Sequence, residues 1–255
     1  MDAPAPAEYS SPIPATCLHR LPRMYHSDSN EGPSTRGEWW IAGGALVLLL
    51  GLFIAEICID YTPVKLSALL VVVFWIPLLA LHEGGHAVAA RLLGWHVGQV
   101  VIGMGKAIGK FRVGTAIVEL RVIPIEGFVR CVPTRLRRPQ TESALIYFAG
   151  PGVELLLALL VLLLIGSDRL FTASEDYSTI TWQSLAVAGT SQAVLNLLPF
   201  AIRTKTGTLL SDGLGICASF LRPEAYYAQM IGMTFDVQEQ EWQAYDPADW
   251  WKRGG

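Results

Sequence analysis

The segment His82-Glu83-Gly84-Gly85-His86 has the residue types and the spacing of a zinc-dependent hydrolytic site. Residues four apart on a helix share a face, so the ring nitrogens of His82 and His86 can bind one metal ion. Glu83 directly follows the first histidine, and its carboxylate can take a proton from a water molecule that the metal activates. The pattern predicts one Zn²⁺ per chain, with Glu83 as the general base of a peptide hydrolysis.

The helix that must carry these residues is unusually apolar. The sixteen residues before His82, Leu66–Leu81, contain no charged side chain. At about 1.5 Å per residue, His82 lies roughly 24 Å along the helix from Leu66, inside a hydrocarbon layer about 30 Å thick. A soluble protease does not bury its zinc helix in such a run. The combination therefore predicts a metalloprotease whose site lies inside a membrane, nearer the end marked by Arg91.

The composition agrees with a membrane protein and excludes other classes. The chain is 52% hydrophobic and 16% charged, with a mean hydropathy of +0.39, whereas soluble domains are about 25% charged. No basic run predicts a nucleic-acid partner, and nothing predicts an oligomeric state. The four cysteines are scattered without a CxxC pair, which argues against a zinc knuckle or a disulfide framework.

Four apolar segments have about the 20 residues that a membrane crossing needs, so the sequence predicts four transmembrane helices. The last segment is shorter and more polar than the others. The four are Trp39–Ile59, Leu66–Trp95, Ala144–Gly166 and Trp182–Phe200.

The distribution of Lys and Arg predicts the orientation of these helices. Residues 96–143 hold eight cations, whereas the loops 60–65 and 167–181 hold one each. The positive-inside rule therefore places 96–143 and both termini in the cytosol. The predicted organisation is a disordered cytosolic tail over 1–38, a transmembrane metalloprotease domain over 39–220 and a cytosolic tail over 221–255.

The cytosolic stretch between the second and third helices is not helical in pattern. Polar and apolar residues alternate over 110–113 and again over 117–122, with Gly114 between them. This alternation predicts a β-hairpin. The expected fold class is a mainly α membrane protein of about four transmembrane helices with a cytosolic-side hairpin insertion between helices 2 and 3.

Three motifs in this order resemble the site-2 protease family of intramembrane zinc metalloproteases over roughly 66–216. They are the HExxH helix, then Phe148-Ala149-Gly150-Pro151, then Asn196-Leu197-Leu198-Pro199 with Ser211-Asp212-Gly213. The resemblance implies regulated intramembrane proteolysis of a membrane protein with a single transmembrane helix, in the lipid bilayer. It also implies that Asp212 is the third zinc ligand and that Asn196 donates a hydrogen bond to the oxyanion. Alternatively, Asp212 and Gly213 form only a turn, and Asn196 serves as a hydrogen-bonding contact between helices.

The chain departs from the family pattern at two places. Glu154 stands where the family usually has Asn, and a charge at mid-bilayer needs a partner or a wet cavity. It is predicted to be a partner of a ligand, a substrate contact, a replacement ligand or a protonated group bonded to another helix. Asn196 and Asp212 are sixteen positions apart, whereas many members have eight. The spacer is expected to loop at the cytosolic surface and return Asp212 to the metal.

Two further alternatives remain open from the sequence. The stretch 124–129, Pro-Ile-Glu-Gly-Phe-Val, resembles a family strand, with Glu126 in place of a glycine. It could pair as an edge strand with an unwound substrate, or it could be a surface hairpin that caps the helices. The second alternative concerns activity, because the departures also fit a non-catalytic membrane scaffold or regulator that keeps the protease fold.

Overall fold

The computed structural model describes residues 48, 51–56, 58–59, 61–203 and 208–231. The helices described at both ends are α1 (Leu66–Leu92, after a 3-10 turn Pro63–Lys65), α2 (Pro139–Ile165), α3 (Ser167–Phe171), α4 (Tyr177–Leu197) and α5 (Asp212–Leu221), and residues 224–231 are also helical. The strands are β1 (Trp95–Val113), β2 (Ala116–Pro133), β3 (Ala201–Arg203) and β4 (Thr208–Leu210). A mainly helical fold with an antiparallel strand pair between its two longest helices is therefore confirmed.

Within the described ranges, two helices are long and apolar enough to cross a membrane, Pro63–Leu92 and Pro139–Ile165. The first predicted segment, 39–59, lies largely outside the described residues, although 51–56 are helical. The fourth segment is helical as α4, which has 21 residues and is not among the helices long and apolar enough to cross a membrane. Four crossings therefore stay a prediction, and the predicted tail 1–38 lies outside the described residues.

The helix boundaries differ from the apolar segments for local reasons. Helix α1 ends at Leu92 instead of continuing to Trp95, because Gly94 adopts a left-handed conformation with φ of 80°. Trp95 then begins β1. Helix α2 starts at Pro139, before the predicted Ala144, because proline suits the first helical position while hydropathy marks only the apolar part of a helix.

Small residues allow the helices to approach closely. Helices α1, α2 and α4 contact one another, and α5 packs on α2. A Cβ atom at Gly85 of α1 would lie 2.7 Å from the carbonyl oxygen of Ala149 and 3.0 Å from a methyl carbon of Val153. Gln192 of α4 donates a hydrogen bond to the carbonyl oxygen of Trp75 at 3.2 Å. Close approach and a polar contact thus join the three helices, as is usual inside membranes.

The strand pair β1–β2 bends and folds back on itself. Gly103 and Gly105 have φ of 95° and 83°, which permits the bend in β1. The first half of β1 then has partners on two sides, since 99–102 align both with 127–130 and with 117–120. Segment 127–133 has partners on one side only within the described chain. It is therefore an edge of the folded sheet.

A small hydrophobic core fixes this sheet to the ends of α1 and α2. Trp95 is buried in it and donates a hydrogen bond from its ring nitrogen to Glu142 at 2.7 Å. Tyr227 packs edge-on against Trp95, although it lies beyond the predicted domain boundary at 220. The core consists of Ala90, Trp95, Val97, Val100, Ala116, Ile146 and Tyr227. It holds the sheet against the helix that carries the histidines.

Candidate metal centre

Helix α1 presents its three polar residues of the HExxH segment inward. His82, Glu83 and His86 are all buried. The Nε2 atoms of the two histidines lie 3.1 Å apart, as the four-residue spacing on one helix face predicts. Two unprotonated nitrogen atoms at that distance repel unless a proton or a cation lies between them.

Asp212 completes this cluster from the first turn of α5. Its Oδ2 lies 2.9 Å from Nε2 of His82, and its Oδ1 lies 3.4 Å from Nε2 of His86. Ser211 caps the helix by accepting a hydrogen bond from the amide of Leu214, and it donates one to the carbonyl oxygen of Leu198. This serine therefore ties the start of α5 to the end of α4 and fixes the position of Asp212.

The long spacer between Asn196 and Asp212 forms a second hairpin. Strands β3 and β4 pair antiparallel, with Ala201 opposite Leu210, and so return the chain to the end of α4. A Cβ atom at Gly213 would overlap the carbonyl group of Leu197, so only glycine permits this close return. The spacing that departs from many family members is thus accommodated without displacing Asp212 from the histidines.

The donor set fits a zinc ion. Ligand atoms of tetrahedral zinc at about 2.0–2.1 Å are about 3.3 Å apart, and the three pairs here are separated by 2.9, 3.1 and 3.4 Å. Nδ1 of His86 donates to the carbonyl oxygen of Ile146 at 2.6 Å, which leaves Nε2 of the neutral ring with a lone pair towards the cluster. A Cβ atom at Gly150 would collide with Nε2 of both histidines. Glycine therefore keeps this space open.

Glu154 of α2 lies on the opposite side of the His82 ring. Its carboxylate is completely buried, and Oε2 lies 3.1 Å from Nδ1 of His82, although the angles depart from those of a hydrogen bond. Neither carboxylate oxygen has a hydrogen-bond partner within the described residues. Glu154 therefore touches the nitrogen that faces away from Asp212.

Glu83 packs against the sheet. A Cβ atom at Gly127 of β2 would lie 2.6 Å from Oε1 of Glu83, so the missing side chain gives the carboxylate its space. Oε2 of Glu83 has no hydrogen-bond partner in the described part of the chain. Sequence reasoning missed this contact, and the signal for it was the glycine inside an otherwise bulky strand.

Asn196 is the predicted site residue that the structure does not join to the cluster. It lies one turn after Gln192, on the face of α4 that approaches α1, and it is half-buried. It makes no hydrogen bond with the residues that the structure describes. Sequence reasoning also missed the carbonyl of Ile146, because a backbone acceptor leaves no mark in residue types.

Burial raises the pKa of two groups in the sheet. Burial raises the pKa of Glu126, which lies beside Gly127. It raises the pKa of the Cys131 thiol to about 12, so Cys131 stays protonated and is not a nucleophile at neutral pH.

Part of this chain is similar to known metalloproteases. The profile of Peptidase family M50 matches residues 68–184. A protein named as a zinc metalloprotease from Clostridium perfringens is 30% identical over 112 residues, which are 40% of this chain and 33% of the relative. A chloroplastic membrane metalloprotease of Arabidopsis thaliana is 40% identical over 52 residues, 20% of this chain and 12% of the relative. The chain thus spans a third or less of these relatives. The resemblance to the site-2 protease family is nonetheless confirmed, since residues 68–184 match the model of Peptidase family M50 and both relatives are named as metalloproteases.

Proposed function

We propose that this chain is an intramembrane zinc endopeptidase that hydrolyses a peptide bond within or near the transmembrane segment of a membrane protein. The convergence of His82, His86 and Asp212 beside Glu83 carries this proposal. Two helices apolar enough to cross a membrane and the match to a peptidase family support it. The multi-pass topology, with both termini in the cytosol, belongs to the same proposal.

Asp212, and not Glu154, is the third ligand in this proposal. The Asp212 carboxylate faces Nε2 of both His82 and His86, whereas Glu154 faces Nδ1 of His82, on the far side of the ring. One ion bound by Nε2 therefore cannot reach Glu154. Zinc held by these three residues would supply a Lewis acid and an activated water molecule.

Glu154 orients the ring of His82, in the way that the carbonyl group of Ile146 orients the ring of His86. Each histidine has an acceptor from α2 beside its Nδ1, at 3.1 Å and 2.6 Å respectively. An acceptor at Nδ1 holds the proton there and turns the Nε2 lone pair towards the ligand cluster. We assign Glu154 this positioning role because its carboxylate is buried and has no other partner in the described chain.

Glu83 is the general base. Its carboxylate is buried next to the histidines, with one oxygen free to accept a proton from the attacking water. The proton then passes from Glu83 to the nitrogen of the leaving amine as the C–N bond breaks. Asn196 donates a hydrogen bond to the oxyanion once substrate is bound, and its position on the face of α4 that approaches α1 supports this role.

The substrate binds as an added strand on segment 127–133. A transmembrane helix hides its peptide groups in internal hydrogen bonds, so it must unwind before hydrolysis. An edge strand supplies replacement backbone partners for the unwound segment. Gly127 supports this geometry, because it brings that edge into contact with Glu83.

The test measures zinc and cleavage in the same preparations. We expect about one zinc per purified full-length chain, and the Glu83→Gln variant should keep that zinc. Its cleavage of a single-span substrate in proteoliposomes should fall by at least about 100-fold, because the general base is lost. Glu224→Gln is the matched control, since Glu224 is exposed and does not belong to the cluster of His82, His86 and Asp212.

Cleavage that survives in the Glu83→Gln variant would refute the assigned mechanism. Zinc binding without any Glu83-dependent cleavage would instead favour the non-catalytic membrane scaffold. Absence of zinc from the parent after reconstitution would contradict the metal centre itself.

A further inference from the structure

We infer that Glu126 selects substrates that carry a lysine or arginine in the stretch that pairs with β2, beside the hydrolysed bond. The inference rests on the proposed function, because it names the substrate class of the same site. Four observations carry it: the edge position of the strand, its contact with the general base, the unpaired charge of Glu126 and the chemistry of cross-strand neighbours.

The first observation is the register of the folded sheet. Segment 127–133 pairs with 95–102 on one side and with no described strand on the other. Glu126 immediately precedes this segment. A peptide added along the free side would therefore pass Glu126.

The second observation is the distance to the reacting centre. The position of a Gly127 Cβ atom lies 2.6 Å from Oε1 of Glu83. Consecutive Cα atoms are about 3.8 Å apart, so the Cα atom of Glu126 lies within about 8 Å of that oxygen of the proposed general base. Glu126 thus lies near the proposed general base.

The third observation concerns charge. Glu126 is half-buried and forms no ion pair with the described residues. Two cations of the sheet, Lys110 and Arg121, are engaged elsewhere because both pair with Glu119. Burial without a compensating cation raises the pKa of Glu126, so a cation from outside would favour its charged form.

The chemistry of a strand pair then defines the partner. Opposite charges at facing positions of two strands attract, and like charges at those positions repel. Proteins with one transmembrane helix carry an excess of Lys and Arg at the cytosolic end of that helix. A substrate segment drawn from its cytosolic membrane boundary would place such a cation opposite Glu126.

The experiment uses the full-length chain in proteoliposomes with a single-span substrate. One residue at a time around the cleaved bond is changed to Lys, Gln or Glu, and the relative cleavage rates are measured by competition. The series is run with the parent, Glu126→Gln, Glu126→Lys and the control Glu224→Gln. The same substrates are also captured by the Glu83→Gln chain, with and without Glu126→Gln, so that binding is measured without catalysis.

We expect one position at which the parent prefers Lys over Gln by roughly two- to fivefold, the range for a cross-strand ion pair. The preference should disappear with Glu126→Gln, reverse towards Glu with Glu126→Lys and persist in the control. Equal preferences in all four chains would overturn the inference while leaving the peptidase proposal intact. If no chain cleaves, the peptidase proposal fails, and the capture series decides the inference on its own.

Discussion

Two buried charge clusters of this protein differ in how completely they satisfy their own polar atoms. In the sheet, Glu119 is surrounded by donors: Lys110 at 3.0 Å, Arg121 at 2.9 Å and Gln99 at 3.4 Å. In the metal centre, His82 and His86 face each other and the Asp212 carboxylate at 2.9 to 3.4 Å. In the sheet cluster, cations and an amide from the protein neutralise and hydrogen-bond the carboxylate. In the metal centre, nitrogen and oxygen atoms with lone pairs face one another.

The unsatisfied atoms follow the same division. Five buried side-chain atoms of the described residues have no hydrogen-bond partner, and four of them belong to His82, Glu83 and Glu154. An unsatisfied buried polar atom costs about 1–3 kcal/mol, so a fold keeps a group of them only where something compensates. None of these four is a proposed ligand atom, but all belong to residues of the candidate metal centre or in contact with it, whereas Glu119 of the sheet cluster has no unsatisfied oxygen. The comparison therefore separates a structural charge cluster from a ligand site.

The largest expected effect is the loss of zinc when Asp212 is replaced. Asp212→Ala removes one of three ligands, so zinc affinity should fall by more than the roughly 100-fold that loss of an outer partner costs. The measurement is competition with a chelator of known affinity, on the purified chain. Asp168→Ala, at an exposed site beyond α2, is the control. Unchanged zinc affinity in Asp212→Ala would contradict the proposal that this cluster, unlike the sheet cluster, binds a metal ion.

The second effect tests the space inside the metal centre. Gly150→Ala places a methyl group against Nε2 of both histidines, so zinc binding should be lost while the helices remain folded. Gly189→Ala is the matched control, because its Cβ atom would make only an ordinary contact at 3.5 Å. Zinc content and circular dichroism are measured together. Full zinc binding by Gly150→Ala would mean that the ligand atoms meet elsewhere.

The features that could be predicted from the sequence are those that depend on local periodicity. The helix face of His82 and His86 and the turn at Gly114 follow from patterns within a few residues, and the structure has both. The contact of Gly127 with Glu83 could not be predicted, because it joins a strand to a helix 44 positions earlier in the chain. Likewise, the sequence left open whether Glu154 is a zinc ligand or a partner of one, because its distance from either nitrogen of His82 depends on how two helices pack.

The third effect is the contribution of Glu154 to zinc binding. Replacing Glu154 by Leu removes the acceptor beside Nδ1 of His82, so zinc affinity should fall by about 10- to 100-fold. Glu154→Gln keeps a carbonyl acceptor and should lose less. Chelator competition measures both variants beside Asp212→Ala. A loss in Glu154→Leu as large as that in Asp212→Ala would make Glu154 a ligand, contrary to its position on the far side of the ring.

The smallest expected effect is a pH-dependent loss of stability when Glu119 of the sheet cluster is replaced. Burial alone would raise the pKa of Glu119, but hydrogen bonds and charges from Lys110 and Arg121 lower it below its usual 4.5. A carboxyl group with a lowered pKa in the fold adds stability above its unfolded pKa and loses it as the pH falls through the folded pKa. Glu119→Gln should therefore cost about 1 kcal/mol at pH 7, a modest amount because both cations are partly exposed.

Thermal unfolding in detergent, at pH 7 and in steps below the usual pKa of Glu119, measures this difference between parent and Glu119→Gln. The difference in stability between the two chains should narrow as the pH falls. Protonation of Glu119 removes the carboxylate charge from the parent, and the variant already lacks that charge. Zinc affinity at pH 7 should be equal in the two chains. A gap that stays constant with pH would mean that the carboxylate charge is not what holds the sheet cluster. A changed zinc affinity would mean that the two clusters are coupled through the Gly127 contact, which joins the sheet to Glu83.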